Sequence, residues 1–298
     1  MSKILYFDYN ATHPPFTEIV VEVYKEYTQN YFNPSGATRF SLSRQSLLES
    51  VRAYFGEITN KDKNQFVFSS TGTEANALLI AGLTEYLEKF KRVIVSPFEH
   101  SSFYGSLDYY KIPFELLRTD KSGLVDLNDL ETKMNEHPSP VFVIYAANET
   151  GVIQPMQEIF SITSKFEMPI FSDLMQAFGK IEIDYSILEG FTFSGHKIGA
   201  GMGASLTYLP SKYLKKDFGI LKGGNQENNH RAGTENSPAI LAFQNAAKLQ
   251  LSSLKEKNER LTSYKSKIEK TLREIGAEII AESSPRLPST TFTLLPIE

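Results

Sequence analysis

The residues in this chain best able to do chemistry each stand just after a short apolar run. Lys197 lies in GFTFSGHKIGAGM (residues 190–202), where a β-branched and aromatic stretch ends at Ser194 and Gly195 and a glycine-rich turn follows. An isolated lysine there reads as a surface charge, because lysine is rarely buried without a partner. A Schiff-base lysine instead needs a partly desolvated amine of lowered pKa, and the glycines would let the backbone approach a ligand. Asp173 ends PIFSD, His100 closes RVIVSPFEH, Asn148 closes PVFVIYAAN, and Gly72 with Thr73 ends QFVFSSTGT. Singly, Asp173 or Thr73 can be a helix cap, Asn148 a turn former and His100 a satisfied turn histidine. Jointly they offer an amine, a carboxylate, an imidazole, an amide and a potential anion cradle.

The elements that would position these groups can be read from periodicity. Strands are expected near the start of MSKILYFDYN and at residues 65–69, 92–96, 114–117, 140–146, 169–172, 191–193 and 203–209. Helical spacing is expected through Val20, Val23, Tyr24 and Tyr27, and over residues 41–55, 74–87, 127–135, 159–166, 238–251 and 254–275. Strands alternate with helices, and several strands are apolar on both faces, which argues for an α/β fold with a mostly parallel central sheet covered by helices. In such sheets ligands bind beyond the C-terminal ends of the strands, where all five candidate positions fall. Residues 70–73 precede a strong helix former, so the free N–H groups of that helix start could hold an anion. Two short strands at residues 277–281 and 289–295 are expected to form a separate layer.

Composition narrows the function classes. Hydrophobic residues make up 41 % and charged residues 22 % of the 298, which excludes a disordered chain. A net charge of −4 without a basic block gives no reason to expect nucleic acid as a partner. No run reaches the ~18 apolar residues of a membrane span, and the opening residues lack a secretory core. A soluble, cytoplasmic protein is therefore expected. The absence of cysteine excludes disulfides, thiolate metal sites and a cysteine nucleophile within these residues; five histidines without HExxH spacing make a metal site unexpected.

The edge residues fit one cofactor. Pyridoxal 5′-phosphate requires a lysine for covalent attachment, a carboxylate facing its ring nitrogen, an anion cradle and a surface for ring stacking. Lys197, Asp173, Gly72 with Thr73, and His100 supply these in turn.

The segments FDYNATHPP, NPSGATRFS, TGTEANALLIAGL, FEHSS, NETGVIQP, SDLMQAFGKIEID, FSGHKIGAGMG and GGNQENNHRAGTEN together resemble the class V aminotransferase group of fold-type I pyridoxal-phosphate enzymes, and within it the NifS-like cysteine desulfurases. The resemblance implies that Lys197 carries the cofactor and moves the substrate Cα proton. It also implies that Asp173 pairs with the ring nitrogen, Gln176 hydrogen-bonds the phenolic oxygen, His100 stacks on the ring, and Asn148 lies near ring and substrate. Thr73, Ser194 and His196 would bind the phosphate, and Thr234 would reach the phosphate of a partner subunit, so a homodimer with shared sites is implied. The implied division is a large cofactor-binding domain over residues 14–245, with residues 1–13 and 246–298 forming an incomplete α+β small domain. The implied substrate is a small amino acid, and a sulfur-acceptor protein is an implied partner.

Two features depart from the resemblance. A desulfurase needs a thiolate to take up sulfur, and the family places that cysteine, and the arginine that clamps the substrate carboxylate, in a C-terminal segment beyond where this chain ends at Glu298. Asn228 and Asn229 also stand where the family usually shows basic and glycine residues. Three readings follow: a desulfurase-like enzyme represented by its N-terminal three-quarters, a class V lyase or aminotransferase that needs no cysteine, and a non-catalytic module that keeps the fold. Retention of Lys197, Asp173, Gln176 and His100 favours the first.

Overall fold

Strands with apolar residues on both sides need cover on both faces, and the chain supplies it by alternating strand and helix. The computed structural model describes residues 5–215 and 218–296. In chain order the elements are α1 (Thr17–Gln29), α2 (Arg39–Thr59), β1 (Phe66–Ser69), α3 (Gly72–Leu87), β2 (Val93–Val95), α4 (Ser101–Tyr109), β3 (Phe114–Leu116) and α5 (Leu127–Glu136). There follow β4 (Val141–Phe142), α6 (Met156–Thr163), β5 (Ile170–Asp173), β6 (Gly190–Ser194), β7 (Ser205–Tyr208), α7 (Ser237–Ser252), α8 (Leu254–Glu274), β8 (Glu278–Ile279) and β9 (Thr293–Leu294).

Seven strands form one sheet in the order β1-β7-β6-β5-β4-β2-β3. Neighbours from β6 to β3 are parallel, whereas β7 runs antiparallel to both β1 and β6. The strands other than β7 therefore run the same way, and their C-terminal ends share one edge. Alternation along β2 shows how the two faces are filled. Val93 and Val95 pack with Leu78 and Phe103 on one side, while Ile94 joins the larger cluster around Phe55, Phe178, Phe193 and Phe243 on the other. Those four rings interlock, with Phe178 stacked on Phe193 at 4.2 Å between centroids.

The strand expected over residues 140–146 pairs regularly on only one side beyond Phe142. Val143 and Tyr145 still donate to the Phe171 and Asp173 carbonyls of β5. Toward β2 the ladder stops, because the Ile144 N–H donates to the Glu99 carboxylate instead. The opening strand expected at the N-terminus falls partly outside the described residues, and residues 5–8 carry no strand. β8 and β9 form a separate two-stranded antiparallel sheet, shorter than the runs that signalled it. α8 exposes most of its charged surface; Glu269 is its one fully buried member, paired with Arg286 at 2.7 Å. No helix among the described residues is long and apolar enough to cross a membrane.

Candidate active site

A cleft of about 950 Å³ opens along the C-terminal edge of the sheet, and Gly72, Thr73, His100, Asn148, Asp173, Gln176, His196 and Lys197 line it. That volume is in the range of small-molecule sites. β5 delivers Asp173 and β6, through a short 3₁₀ turn, delivers Lys197; the two strands are adjacent and parallel.

Asp173 is buried, and its surroundings are arranged around an ionised carboxylate. Thr192 Oγ1 lies 2.6 Å from Asn76 Oδ1 and donates to it, which turns Asn76 Nδ2 toward Asp173 Oδ2 at 2.9 Å. The Met175 N–H donates to Asp173 Oδ1 at 2.8 Å. Burial raises the Asp173 pKa, while these two donors and the His100 and Lys197 charges pull it back. Each oxygen keeps acceptor capacity for one further donor.

Lys197 Nζ donates to the Asn10 carbonyl at 2.7 Å and the Ala11 carbonyl at 3.0 Å. Burial lowers its pKa, partly offset by Asp173 and Asp8, which favours the neutral amine a nucleophile needs. The turn carrying it is strapped to residues 13–16: His13 N–H donates to the His196 carbonyl, and Phe16 N–H to the Gly199 carbonyl. Gly199 sits at φ +91°, and a Cβ there would lie 2.6 Å from the Phe16 ring, so both the conformation and the contact require glycine. His196 Nδ1 is 3.2 Å from Thr12 Oγ1, and burial with the Lys197 and Lys180 charges brings its pKa down to about 4.

Gly72 and Thr73 open α3, and the cap falls to Thr71, whose Oγ1 accepts from the Glu74 N–H at 3.1 Å. Thr73 is thereby not the cap that an isolated reading of this segment allowed. The N–H groups of Gly72 and Thr73 belong to a first helical turn, which has no partner within the helix. Arg231 braces this start, donating to Glu74 Oε1 at 2.7 Å and Ser70 Oγ at 2.8 Å. A Cβ on Gly72 would approach Met175 to 3.0 Å, so the missing side chain keeps that corner open.

His100 caps α4: its Nδ1 accepts from the Ser102 N–H at 3.2 Å. In the neutral ring this places the proton on Nε2. Asn148 receives Asn10 Nδ2 on its carbonyl at 3.0 Å. Two expected phosphate contacts lie elsewhere. Ser194 is buried and accepts a hydrogen bond from Ser205 Oγ at 2.7 Å, outside the residues that line the cleft. Thr234 is exposed on the 223–236 loop and does not line it either.

Sequence reasoning missed the residues that hold this constellation together. Asn76 sat unmarked in a helix-forming run, although a polar residue in so apolar a helix was a usable signal. Asn10, inside FDYNATHPP, carried no assigned role; its backbone and side chain bond to Lys197, Gln176, Lys180, Asn148 and Thr290. Nothing distinguished Lys180 from a surface lysine. Glu99 was passed over beside His100; it is buried, and burial with the nearby Asp173 charge raises its pKa to about 8.

A parallel α/β sheet with a lysine, a carboxylate and a helix start converging on its C-terminal edge defines a cofactor-binding class of chain. The chain belongs to the class-V aminotransferase family, whose model matches residues 5–295. Within that family it is similar to the cysteine desulfurase IscS of Clostridium botulinum (strain Hall), at 28 % identity over 100 % of this chain and 77 % of the relative. It is 30 % identical to the cysteine desulfurase of Trichormus azollae, over 97 % of this chain and 74 % of the relative. Among solved structures, a NifS-like protein superposes with a TM-score of 0.91 at 27 % identity, over 99 % of this chain and 82 % of that one. The NifS-like protein from Rickettsia africae ESF-5 superposes with a TM-score of 0.88 at 30 % identity, again over 99 % and 82 %. The fold is that of the cysteine desulfurases.

Proposed function

We propose that the cleft binds pyridoxal phosphate and that the chain is the cofactor-binding part of a cysteine desulfurase-like enzyme. The observation that carries this reading is the placement of Asp173 and Lys197 at the ends of adjacent parallel strands, with the open helix start of Gly72 and Thr73 on the same cleft. The residues present fit the group. The ring of pyridoxal phosphate, when bound, withdraws electrons from bonds at the α-carbon of an amino acid.

Asp173, already fed by Asn76 and Met175, has the acceptor capacity to hold a ring N–H. The N–H groups of Gly72 and Thr73 bind the phosphate at the positive end of α3, with His196 as a neutral neighbour. Gln176 directs Nε2 toward the Asn10 carbonyl at 2.9 Å and keeps its second amide hydrogen for a ring oxygen. His100 covers the ring and presents Nε2–H. Lys197 Nζ, desolvated and with its pKa lowered by burial, is the group that anchors the cofactor and takes or returns a proton at the α-carbon. In this reading Ser194 supports the β6 end from behind, and Asn148 orders the cleft wall.

The relatives named as cysteine desulfurases supply the substrate class. Transfer of sulfur from L-cysteine to a thiolate breaks the Cβ–S bond, forms an S–S bond and leaves L-alanine, the carbon being reduced as the sulfur is oxidised. These 298 residues contain no cysteine, so the accepting thiolate comes from outside them. The reading includes a cytoplasmic homodimer in which the exposed Thr234 serves a second copy's cleft. It also includes a division into a large unit over residues 14–245 and a smaller one made of residues 1–13 and 246–298, supported by the separate β8–β9 sheet.

Titration of the purified chain with pyridoxal phosphate tests the cofactor assignment. A visible absorbance band should appear and be absent in Lys197→Ala; a wild-type chain that stays colourless at excess cofactor would overturn it. L-cysteine with an added small thiol should then yield alanine, whereas pyruvate and ammonia would indicate a lyase.

A further inference from the structure

We infer that Lys180 is a positioning residue that sets the hydrogen-bond polarity of the cleft, orienting the amides of Asn10 and Gln176 and through Asn10 holding Lys197. The inference deepens the cofactor reading and rests on it for the role of Gln176.

Lys180 follows a turn at Gly179 and is pinned from α8, where Asn258 Nδ2 donates to its carbonyl at 2.8 Å. Its amine donates to Gln176 Oε1 and, at 3.2 Å, to Asn10 Oδ1. An ammonium has donors and no acceptor, so both amides must turn their oxygens toward it. Everything beyond follows from that choice. Asn10 is left with Nδ2 pointing away, and it donates to the Asn148 carbonyl at 3.0 Å and to Thr290 Oγ1 at 3.0 Å. Gln176 is left presenting Nε2, which meets the Asn10 carbonyl at 2.9 Å. That same carbonyl accepts from Lys197 Nζ at 2.7 Å. One partly buried amine thus makes the cleft-facing end of Gln176 a donor and fixes the residue on which the Lys197 amine rests.

The arrangement is costly, as a purely structural one need not be. Among the described residues no carboxylate is a hydrogen-bond partner of Lys180; the charges that act on it are those of Lys197 and Lys257, both cations. Burial first, then those two, bring its pKa down to about 7. Asp8 and Asp173 are the acids that act on the neighbouring Lys197, and His13, His196 and Lys257 complete the titratable groups around the pair. Two amines that share Asn10 disfavour each other's protonation, and the Lys197 charge is one cause of the low Lys180 pKa.

The test uses Lys180→Met, Lys180→Arg and Asn10→Ala in the full chain, with two readouts. Competitive acetylation of the cofactor-free protein across pH, read at Lys197 by mass spectrometry, gives the titration midpoint of that amine. Pyridoxal phosphate titration gives affinity and the absorbance of the bound form. Lys180→Met should move the Lys197 midpoint up and weaken cofactor binding at least about tenfold. Lys180→Arg, which keeps a cation and its donors, should lie within about threefold of wild type. An unchanged Lys197 midpoint together with unchanged affinity in Lys180→Met would overturn the inference, as would equal losses in Lys180→Met and Lys180→Arg. Should Lys180→Met fail to fold, Asn10→Ala removes the Oδ1 that Lys180 holds while keeping the main-chain carbonyl under Lys197, and it must weaken cofactor binding. A wild-type chain that binds no cofactor would sink the functional reading, while the acetylation midpoint still decides for or against Lys180.

Discussion

Replacing Glu99 by glutamine should flatten the pH dependence of folding in a definite direction. Glu99 is 7 % exposed, its carboxyl accepts the Ile144 N–H, and burial raises its pKa from 4.5 to about 8. In the unfolded chain the same group ionises near its ordinary value, so between those two values the folded state holds a proton that the unfolded state has lost. Stability therefore falls as pH rises, by about 1.4 kcal/mol per pH unit from this group alone. The contribution is complete below the unfolded value and is lost by the time the pH passes about 8. From about pH 5.5 to about pH 7.5 the change amounts to roughly 3 kcal/mol, or about 6–12 °C in melting temperature for a chain of this size. Glutamine keeps the oxygen that accepts from Ile144 and cannot ionise, so Glu99→Gln should lack this slope. Asp173, whose pKa is also raised, adds a slope of the same sign to both proteins, so the difference between them reads Glu99 together with its coupling to the Asp173 charge. Urea unfolding of the cofactor-free chain at several pH values reads the difference directly. Parallel lines for wild type and Glu99→Gln would mean that Glu99 is ionised in the fold, and the reasoning would fail.

Two further substitutions probe other links. Asn76→Leu removes the donor to Asp173 Oδ2, a hydrogen bond to a charged group worth about 1.5–3 kcal/mol, so cofactor affinity should fall roughly 10- to 100-fold; unchanged affinity in an absorbance titration would remove Asn76 from the site. Glu227→Ala takes from Arg52 its buried partner at 2.8 Å, leaving it the Phe66 carbonyl and the half-exposed Glu49, and also leaves the Phe68 N–H without its 2.7 Å acceptor. The melting curve should show a loss of about 3–5 kcal/mol, and a loss below about 1 kcal/mol would show that solvent reaches the pair.

The edge of the sheet was legible in the sequence because a single rule, ligands beyond parallel strand ends, applies wherever apolar runs stop at a polar residue. That rule found Asp173, His100, Asn148 and Lys197 without reference to one another. The strand over residues 140–146 read longer than its two-sided pairing, because apolarity reports burial and Ile144 is as buried as its neighbours; what redirects its N–H is a carboxylate 45 residues away. Asn10 and Lys180 were illegible for a related reason. The partners of Asn10 lie 138 to 280 residues off, and although Lys180 meets Gln176 four residues before it, the contact that ties it to the site, with Asn10, spans 170 residues. A lysine after glycine in a loop has the same letters whether it faces water or an amide oxygen. Ser194 shows the converse: its position at a strand end was readable, while the direction of its hydroxyl, toward Ser205, depends on the register with β7.

The bonds of the Asn10 side chain to Asn148 and Thr290 set a schedule for the growing polypeptide. Synthesis delivers Asn10 well before Thr290, and 280 residues separate the two. Closing so long a loop carries an entropic penalty that grows only with the logarithm of its length, so distance along the chain hardly weakens the finished contact. Time of arrival is another matter: Lys197 emerges long before the residue that completes the support of Asn10. The nascent chain can therefore lay down its sheet and close its core around Phe55 and Phe193 while the cleft still lacks one wall. The pocket wall at Asn10 is completed only once Thr290 has emerged.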